Sequence, residues 1–254
     1  MIVAIAVLAA SCGGGEQAVT TDRPEPGASF QWQLADLPVD TSVDADVYDV
    51  DLFETPAGTV DELHDDLRFV ICYFSAGSFE PFRPDSDRFP DEVVGDPLES
   101  FPDERWLDVR EIDALAPIIE ARLDLCADKG FDGVELDNVN GFANQTGFDL
   151  AAEDQLEFNR WLASEARERG LSPGLKNALD LAPDLVDDFD WALVEECVQF
   201  DECDLVAPFV DAGKAVFVVE YEGSIDEICP AVPDGVTAVL KNIELTVELE
   251  TCAT

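Results

Sequence analysis

Short apolar runs alternate along this chain with longer stretches in which apolar residues recur at helical spacing. Runs at 30–34, 47–53, 69–75, 106–109, 133–137, 173–177, 191–195, 215–221 and 237–241 read as strands. A stretch at 116–129 places Ile118, Ile119 and Leu123 on one face and stops at Gly130. A second, at 153–169, lines up Phe158, Trp161, Leu162 and Ala166 and stops at Gly170. A third helix opens near Ala182 and Pro183, where proline suits the first turn.

Strands that alternate with helices build parallel βαβ units. The expected fold is therefore α/β, a (β/α)8 TIM-type barrel. Nine strand candidates compete for eight places, so one piece is extra or irregular. The link between the first two runs is too short and polar for a good helix, which makes the first βα unit irregular. The length, 254 residues, suits a barrel, which needs roughly 250. A doubly wound open sheet shows the same alternation, but no GxGxxG or GxxxxGKS follows a strand.

Composition bears on partners and compartment. Asp and Glu number 57 against 14 Lys and Arg, for a formal charge of −43. Phosphate backbones are repelled by such a field, so nucleic acid is a poor partner, whereas a cationic ligand is steered inward. A solubility device suited to high salt accounts for the same acidity. Residues 2–10 form an apolar run too short to span a bilayer, which takes about 20 residues. The run fits the apolar part of an export signal, and Cys12 after Ala9, Ala10 and Ser11 resembles a lipoprotein box. No Lys or Arg precedes the run, and Ala9 stands where that box usually has Leu; an ordinary secretory signal is the other reading. The expected division is a signal or lipid anchor at 1–12, a flexible linker at 13–28 and a barrel domain at 29–254. Membrane contact is expected only through Cys12, with the domain an extracellular or cell-surface monomer. With Cys12 set aside, six of the seven cysteines remain, and an even number in an exported protein suggests disulfides. Cys197 with Cys203 closes a short loop; among the remaining four the expected arrangement is Cys229 with Cys252 and Cys72 with Cys126, with the other pairings left open.

The chemistry sits where the apolar runs finish. They end in Asp49 and Asp51, Tyr73 and Ser75, Asp108 and Arg110, Glu135 and Asp137, Lys176 and Asn177, Glu195, Glu220 and Tyr221, and Lys241. In a parallel barrel all these ends meet at one face, which carries the active site. Residues two apart share a strand face, so Glu135 and Asp137 point together, as do Asp49 and Asp51. One aspartate at a strand end is usually a turn or cap residue. Charges at nearly every end crowd a single mouth. Crowding drives pKa values apart, so that one carboxyl stays protonated while another is ionised, as glycosidic bond cleavage requires. No GxSxG elbow, HExxH motif or EF-hand spacing is present. The single His64 has no cysteine near it in sequence, so serine-triad, zincin and zinc-cysteine chemistry all fit poorly. No metal or cofactor is expected.

The same residues carry a family resemblance. The run Cys72-Tyr73-Phe74-Ser75-Ala76-Gly77-Ser78-Phe79-Glu80, then Arg83-Pro84-Asp85, resembles a block of glycoside hydrolase family 114. Further matches follow in order: Trp32-Gln33-Leu34, the run at 48–53, Glu104-Arg105-Trp106-Leu107-Asp108, and Gly130-Phe131-Asp132-Gly133-Val134-Glu135. Asp137-Asn138-Val139, the run at 144–148, Gly174-Leu175-Lys176-Asn177, Glu195 with Cys197, and Glu220-Tyr221 complete it over about residues 30 to 245. The resemblance implies a (β/α)-barrel endo-α-1,4-polygalactosaminidase, a retaining hydrolase whose partner is a galactosamine-containing polysaccharide. It places the catalytic carboxylates on Asp137, as nucleophile, and Glu195, as general acid/base. Asp49, Asp51, Tyr73, Asp108, Glu135, Asn138, Lys176, Glu220 and Tyr221 are the expected substrate-binding residues. Trp32 reads equally as a sugar-stacking residue or as barrel core. The chain departs from the family pattern at Leu136 (usually Pro), Asn140 (usually Asp), Val194 (usually Asn) and Glu196 (usually Gln). Two alternatives stay open: the same mechanism on another amino-sugar glycan, and a non-catalytic carbohydrate-binding lipoprotein.

Overall fold

A computed structural model describes residues 22–252; the expected signal and anchor at 1–12, with Cys12, lie outside them. The chain lays down β1 (Phe30–Gln33), β2 (Val47–Asp51) and β3 (Phe69–Ser75). It then makes an excursion through β4 (Ser78–Phe79), β5 (Val94–Pro97) and β6 (Arg105–Leu107). It resumes with β7 (Gly133–Asp137), β8 (Ser172–Lys176), β9 (Trp191–Glu195), β10 (Ala215–Glu220), β11 (Thr237–Leu240) and a short β12 (Glu250–Thr251). The sheet order is β1-β2-β3-β7-β8-β9-β10-β11-β12, parallel throughout except for the last pair.

The eight parallel strands curl until the first meets the last, as in a TIM-type barrel. Phe30 of β1 stacks on Phe217 of β10 with ring centroids 4.4 Å apart. Among the described residues no ladder joins β1 to β11, and the C-terminal segment fills that seam. The Leu34 N–H donates to the Leu245 carbonyl, Gln31 Nε2 to the Val247 carbonyl, and Lys241 Nζ to Gln31 Oε1 and the Thr246 carbonyl.

Strand alternation makes two cores. Phe30, Trp32, Val47, Phe69, Ile71, Trp191, Leu193, Phe217, Val219 and Val239 fill the barrel. Their strand neighbours Val134, Leu136, Leu175, Ala192, Val194, Val216 and Val218 pack outward among the helices. Gly174 makes room for this filling, since a Cβ there would lie 2.3 Å from the Trp191 ring.

The helices are α1 (Ala57–Asp65), α2 (Ile112–Asp128), α3 (Ala152–Glu168), α4 (Ala182–Leu185), α5 (Ala207–Asp211) and α6 (Ile225–Ile228). No helix lies between β1 and β2, so the first βα unit is irregular as expected. The α2 helix begins four residues earlier than its apolar pattern suggests and carries Pro117 inside it. Three disulfides join Cys72 to Cys126, Cys197 to Cys203 and Cys229 to Cys252. Residues 22–28 run against the base of the barrel, where Pro24 is buried.

One strand expectation is corrected. The run at 106–109 is not a barrel strand: β6 is the centre of a separate antiparallel sheet ordered β4-β6-β5. The place it would need is taken, because β3 pairs directly with β7 from Ile71↔Gly133 to Ser75↔Asp137. This small sheet is tied to the end of β3 by the Leu107 N–H, which donates to the Gly77 carbonyl.

Candidate active site

The strands β7, β8 and β9 finish alike. Asp137, Lys176 and Glu195 project into the barrel at its C-terminal rim. The residue after each, Asn138, Asn177 and Glu196, is left-handed, with φ of 61°, 49° and 58°. Asparagine adopts this conformation more readily than most residues. The turn sends each amide back over the carboxylates. Asn138 Nδ2 donates to Asp137 Oδ2 (3.2 Å) and Ser75 Oγ (2.9 Å). Asn177 Nδ2 donates to Glu195 Oε2 (3.0 Å), while its Oδ1 accepts the Glu195 N–H (2.9 Å). Gly77 permits the first of these turns, because a Cβ there would lie 1.9 Å from the Asn138 carbonyl oxygen.

Lys176 is the hub. Its Nζ is 2.7 Å from Glu135 Oε1, 3.1 Å from Asp137 Oδ1 and 3.1 Å from Glu195 Oε2. Three N–H donors therefore meet three carboxylates. The ammonium also lies 4.4 Å from the centre of the Trp32 ring, a cation–π contact. Burial alone would push the Lys176 pKa down; the charges of Asp137, Glu135 and Glu195 outweigh it and hold the pKa well above the usual lysine range. Two hydroxyls complete the arrangement. Tyr73 donates to Asp137 Oδ2 at 3.1 Å, and Tyr221 donates to Glu195 Oε1. Burial first, then the adjacent carboxylate, raises both phenol pKa values, so both act as neutral donors.

The expected site residues fall into three groups. Asp137, Glu195, Lys176, Asn138, Tyr73 and Tyr221 meet at the mouth. Asp49 and Glu135 lie directly below it and are fully buried; Glu135 touches Lys176, and Asp49 touches Glu135 rather than the open face. Asp51, Asp108 and Glu220 are engaged elsewhere. Asp51 pairs with Arg83 at 2.6 Å and accepts the N–H groups of Phe53 and Glu54. Asp108 follows the small sheet rather than a barrel strand and pairs with Arg110 at 2.7 Å. Glu220 points away from the barrel interior and accepts the Val198 N–H at 2.8 Å. Trp32 is only 1% exposed, which places it in the barrel core beneath Lys176.

Sequence reasoning missed Glu104. It precedes β6, and its Oε2 accepts from Ser78 Oγ at 3.0 Å. Ser78 Oγ is 2.7 Å from Ser75 Oγ, which in turn accepts from Asn138. Burial first and then the charge of Asp137 raise the Glu104 pKa, which puts this carboxylate within the field of the site. Its signal was the acidic residue opening a short apolar run, obscured because that run read as a barrel strand. Of the departures from the family pattern, Leu136 and Val194 face the outer core. Glu196 stands at the rim, its pKa raised by burial and then by Glu195 and Glu220.

A barrel whose rim gathers carboxylates around one buried lysine is a framework that suits a glycoside hydrolase. The chain belongs to glycoside hydrolase family GH114, whose family model matches residues 14–254. It is similar to Aspergillus fumigatus Ega3, solved in complex with galactosamine, at 38% identity and TM-score 0.86, covering 94% of this chain and 100% of that one. It shares its fold with the glycoside hydrolase domain of PelA from Pseudomonas aeruginosa, at 16% identity and TM-score 0.69, covering 89% of this chain and 99% of that one. Among curated proteins no sequence matches it.

Proposed function

We propose that this glycoside hydrolase cleaves α-1,4-linked galactosamine polymers with retention, using Asp137 as nucleophile and Glu195 as general acid/base. One observation carries the reading. Asp137 Oδ1 and Glu195 Oε2 each lie 3.1 Å from the same ammonium nitrogen, so they stand no further apart than twice that distance. Retaining enzymes separate their carboxyls by ~5–5.5 Å, and inverting ones by ~6.5–9.5 Å to admit a water. In the first step Asp137 attacks the anomeric carbon, the glycosidic C–O bond breaks, and Glu195 gives its proton to the leaving oxygen. In the second, Glu195 takes a proton from water, whose oxygen displaces Asp137. Lys176, Tyr73 and Asn138 hold the Asp137 oxygens for attack, while Asn177 and Tyr221 aim Glu195.

The sugar assignment is supported by the similarity to Ega3 and by the acidity of the mouth. Galactosamine amines are cationic near neutral pH, and Glu196 at the rim and Glu104 beside Ser78 add carboxylates near the Asp137–Glu195 pair to meet them. We further place the enzyme outside the cytoplasm, consistent with its three disulfides. Among the described residues no helix is long and apolar enough to cross a membrane; the membrane attachment in this reading is a lipid anchor at Cys12.

The test is reducing-end release from deacetylated and from N-acetylated galactosamine polymer. Wild type should cleave the deacetylated polymer, and Asp137→Asn and Glu195→Gln should each lose at least ~10³-fold in kcat. Cleavage of only the N-acetylated polymer would move the substrate assignment, and binding without cleavage of either would sink the catalytic one. Proton NMR of the first-formed anomer decides retention.

A further inference from the structure

We propose that Asp49 is a positioning residue that keeps its own proton and donates it to Glu135, holding Glu135 ionised beneath Lys176. Only the kinetic consequence of this rests on the function proposed above. Both side chains are 0% exposed. Neither oxygen of Asp49, nor Oε2 of Glu135, meets an N–H or O–H donor from any other described residue, yet the two carboxyls lie within hydrogen-bonding reach of each other. Two bare carboxylates in that position would repel across a low-dielectric interior and leave three buried oxygens without a donor. One shared proton removes the repulsion and links the pair. The proton belongs to Asp49. Glu135 already accepts Lys176 Nζ at 2.7 Å through Oε1, whereas no cation is paired with Asp49 among the described residues. Burial, together with the neighbouring Glu135, drives the Asp49 pKa well above the usual carboxylate range.

The consequence concerns the lysine. With Glu135 fixed as an anion by a donor from below, one ammonium hydrogen is committed downward. The other two are then directed at Asp137 Oδ1 and Glu195 Oε2. Asp49 thus acts on the reacting carboxylates through Glu135 and Lys176, without touching sugar.

Asp49→Asn replaces the acid O–H with an amide N–H in the same place, and Asp49→Ala deletes the donor. Infrared spectra of the whole protein at neutral pH should contain a protonated carboxylic-acid carbonyl band that shifts in D2O and disappears in Asp49→Asn. With both variants folded by near-UV circular dichroism, kcat on the cleaved glycan should be about tenfold or more higher for Asp49→Asn than for Asp49→Ala, with KM little changed between them. An infrared spectrum in which Asp49→Asn loses no acid band overturns the proposal, as does an Asp49→Asn variant no more active than Asp49→Ala. Should Asp49→Ala not fold, the infrared result decides alone. That measurement needs no turnover, so failure to cleave galactosamine polymer would sink the proposed substrate and leave this inference standing.

Discussion

Lys176 is the residue on which the site's electrostatics turn. A buried ammonium is costly unless its charge is matched, and here it is matched more than once over. Removing it would leave Glu135, Asp137 and Glu195 converging on empty space, and breaking a buried ion pair from one side costs about 3–5 kcal/mol. Lys176→Met should therefore lower the unfolding free energy by about that amount in urea titration, and should also abolish cleavage. Lys176→Arg should not restore activity. A guanidinium presents a planar fork, whereas the three acceptors surround a point. A Lys176→Arg variant with near wild-type kcat would show that positive charge alone suffices and that the three-way geometry does not matter. The same residue shows how far the sequence could be read. That lysine would end a strand was legible from the apolar run before it. That it would gather three carboxylates was not, because all three sit on other strands, β7 and β9, and their stagger is set by barrel closure.

At the scale of elements, β7, β8 and β9 bring Asp137, Lys176 and Glu195 together, and their left-handed ends orient them. Strand identity was readable because a buried parallel strand is a short apolar run with polar punctuation. The run at 106–109 has the same local signature, and only the direct pairing of β3 with β7 excludes it from the barrel. Asp49 and Asp137 likewise read alike, each polar and inward-facing; depth in the barrel separates them, and depth depends on register across strands. The left-handed turns were hidden for another reason, since Asn138 and Asn177 advertise a turn without saying which acceptor the amide will reach. Packing below the site is tight enough to test. Gly174 lies on β8 two residues before Lys176, against the Trp191 ring, and adding one methyl there forces the indole or the strand to move. Gly174→Ala should cost about 1–3 kcal/mol of stability and should lower kcat by displacing Lys176. Measured by urea denaturation and single-turnover rate, a loss of stability with an untouched rate would show that the barrel core relaxes without transmitting the shift to the rim.

At the scale of the whole molecule, acidity is the dominant fact, and its effect on stability has a definite sign. A formal −43 at pH 7 makes the compact state repel itself, and ionising further carboxyls increases that repulsion. The buried carboxyls act in the same direction. Burial pushes Glu80 up to about 7 against the pull of Arg83 and Arg122, and burial with the neighbouring Glu135 holds Asp49 well above the usual carboxylate range. Glu104, Glu196 and Glu220 are raised by burial as well. An unfolded glutamate titrates near 4.3, so these groups hold protons in the folded state that the unfolded chain has released. Their contribution is fully present below that unfolded value and is lost as pH rises through the folded one. Asp40, Asp46 and Asp85 are shifted the other way by their hydrogen bonds and Arg122, but they titrate below the window in question. Burial lowers Lys241 to about 8, which relieves a penalty only above that pH. Between pH 5 and pH 8 the raised carboxyls therefore favour the acidic side. The melting temperature should fall by about 5 °C or more across that interval at low salt. Added NaCl should recover part of the loss at pH 8 and little at pH 5, because screening acts on the repulsion and not on buried protons. A melting temperature that is level or rising from pH 5 to pH 8 would mean that surface repulsion is already neutralised by bound cations, and that the buried acids are paired more fully than their burial implies.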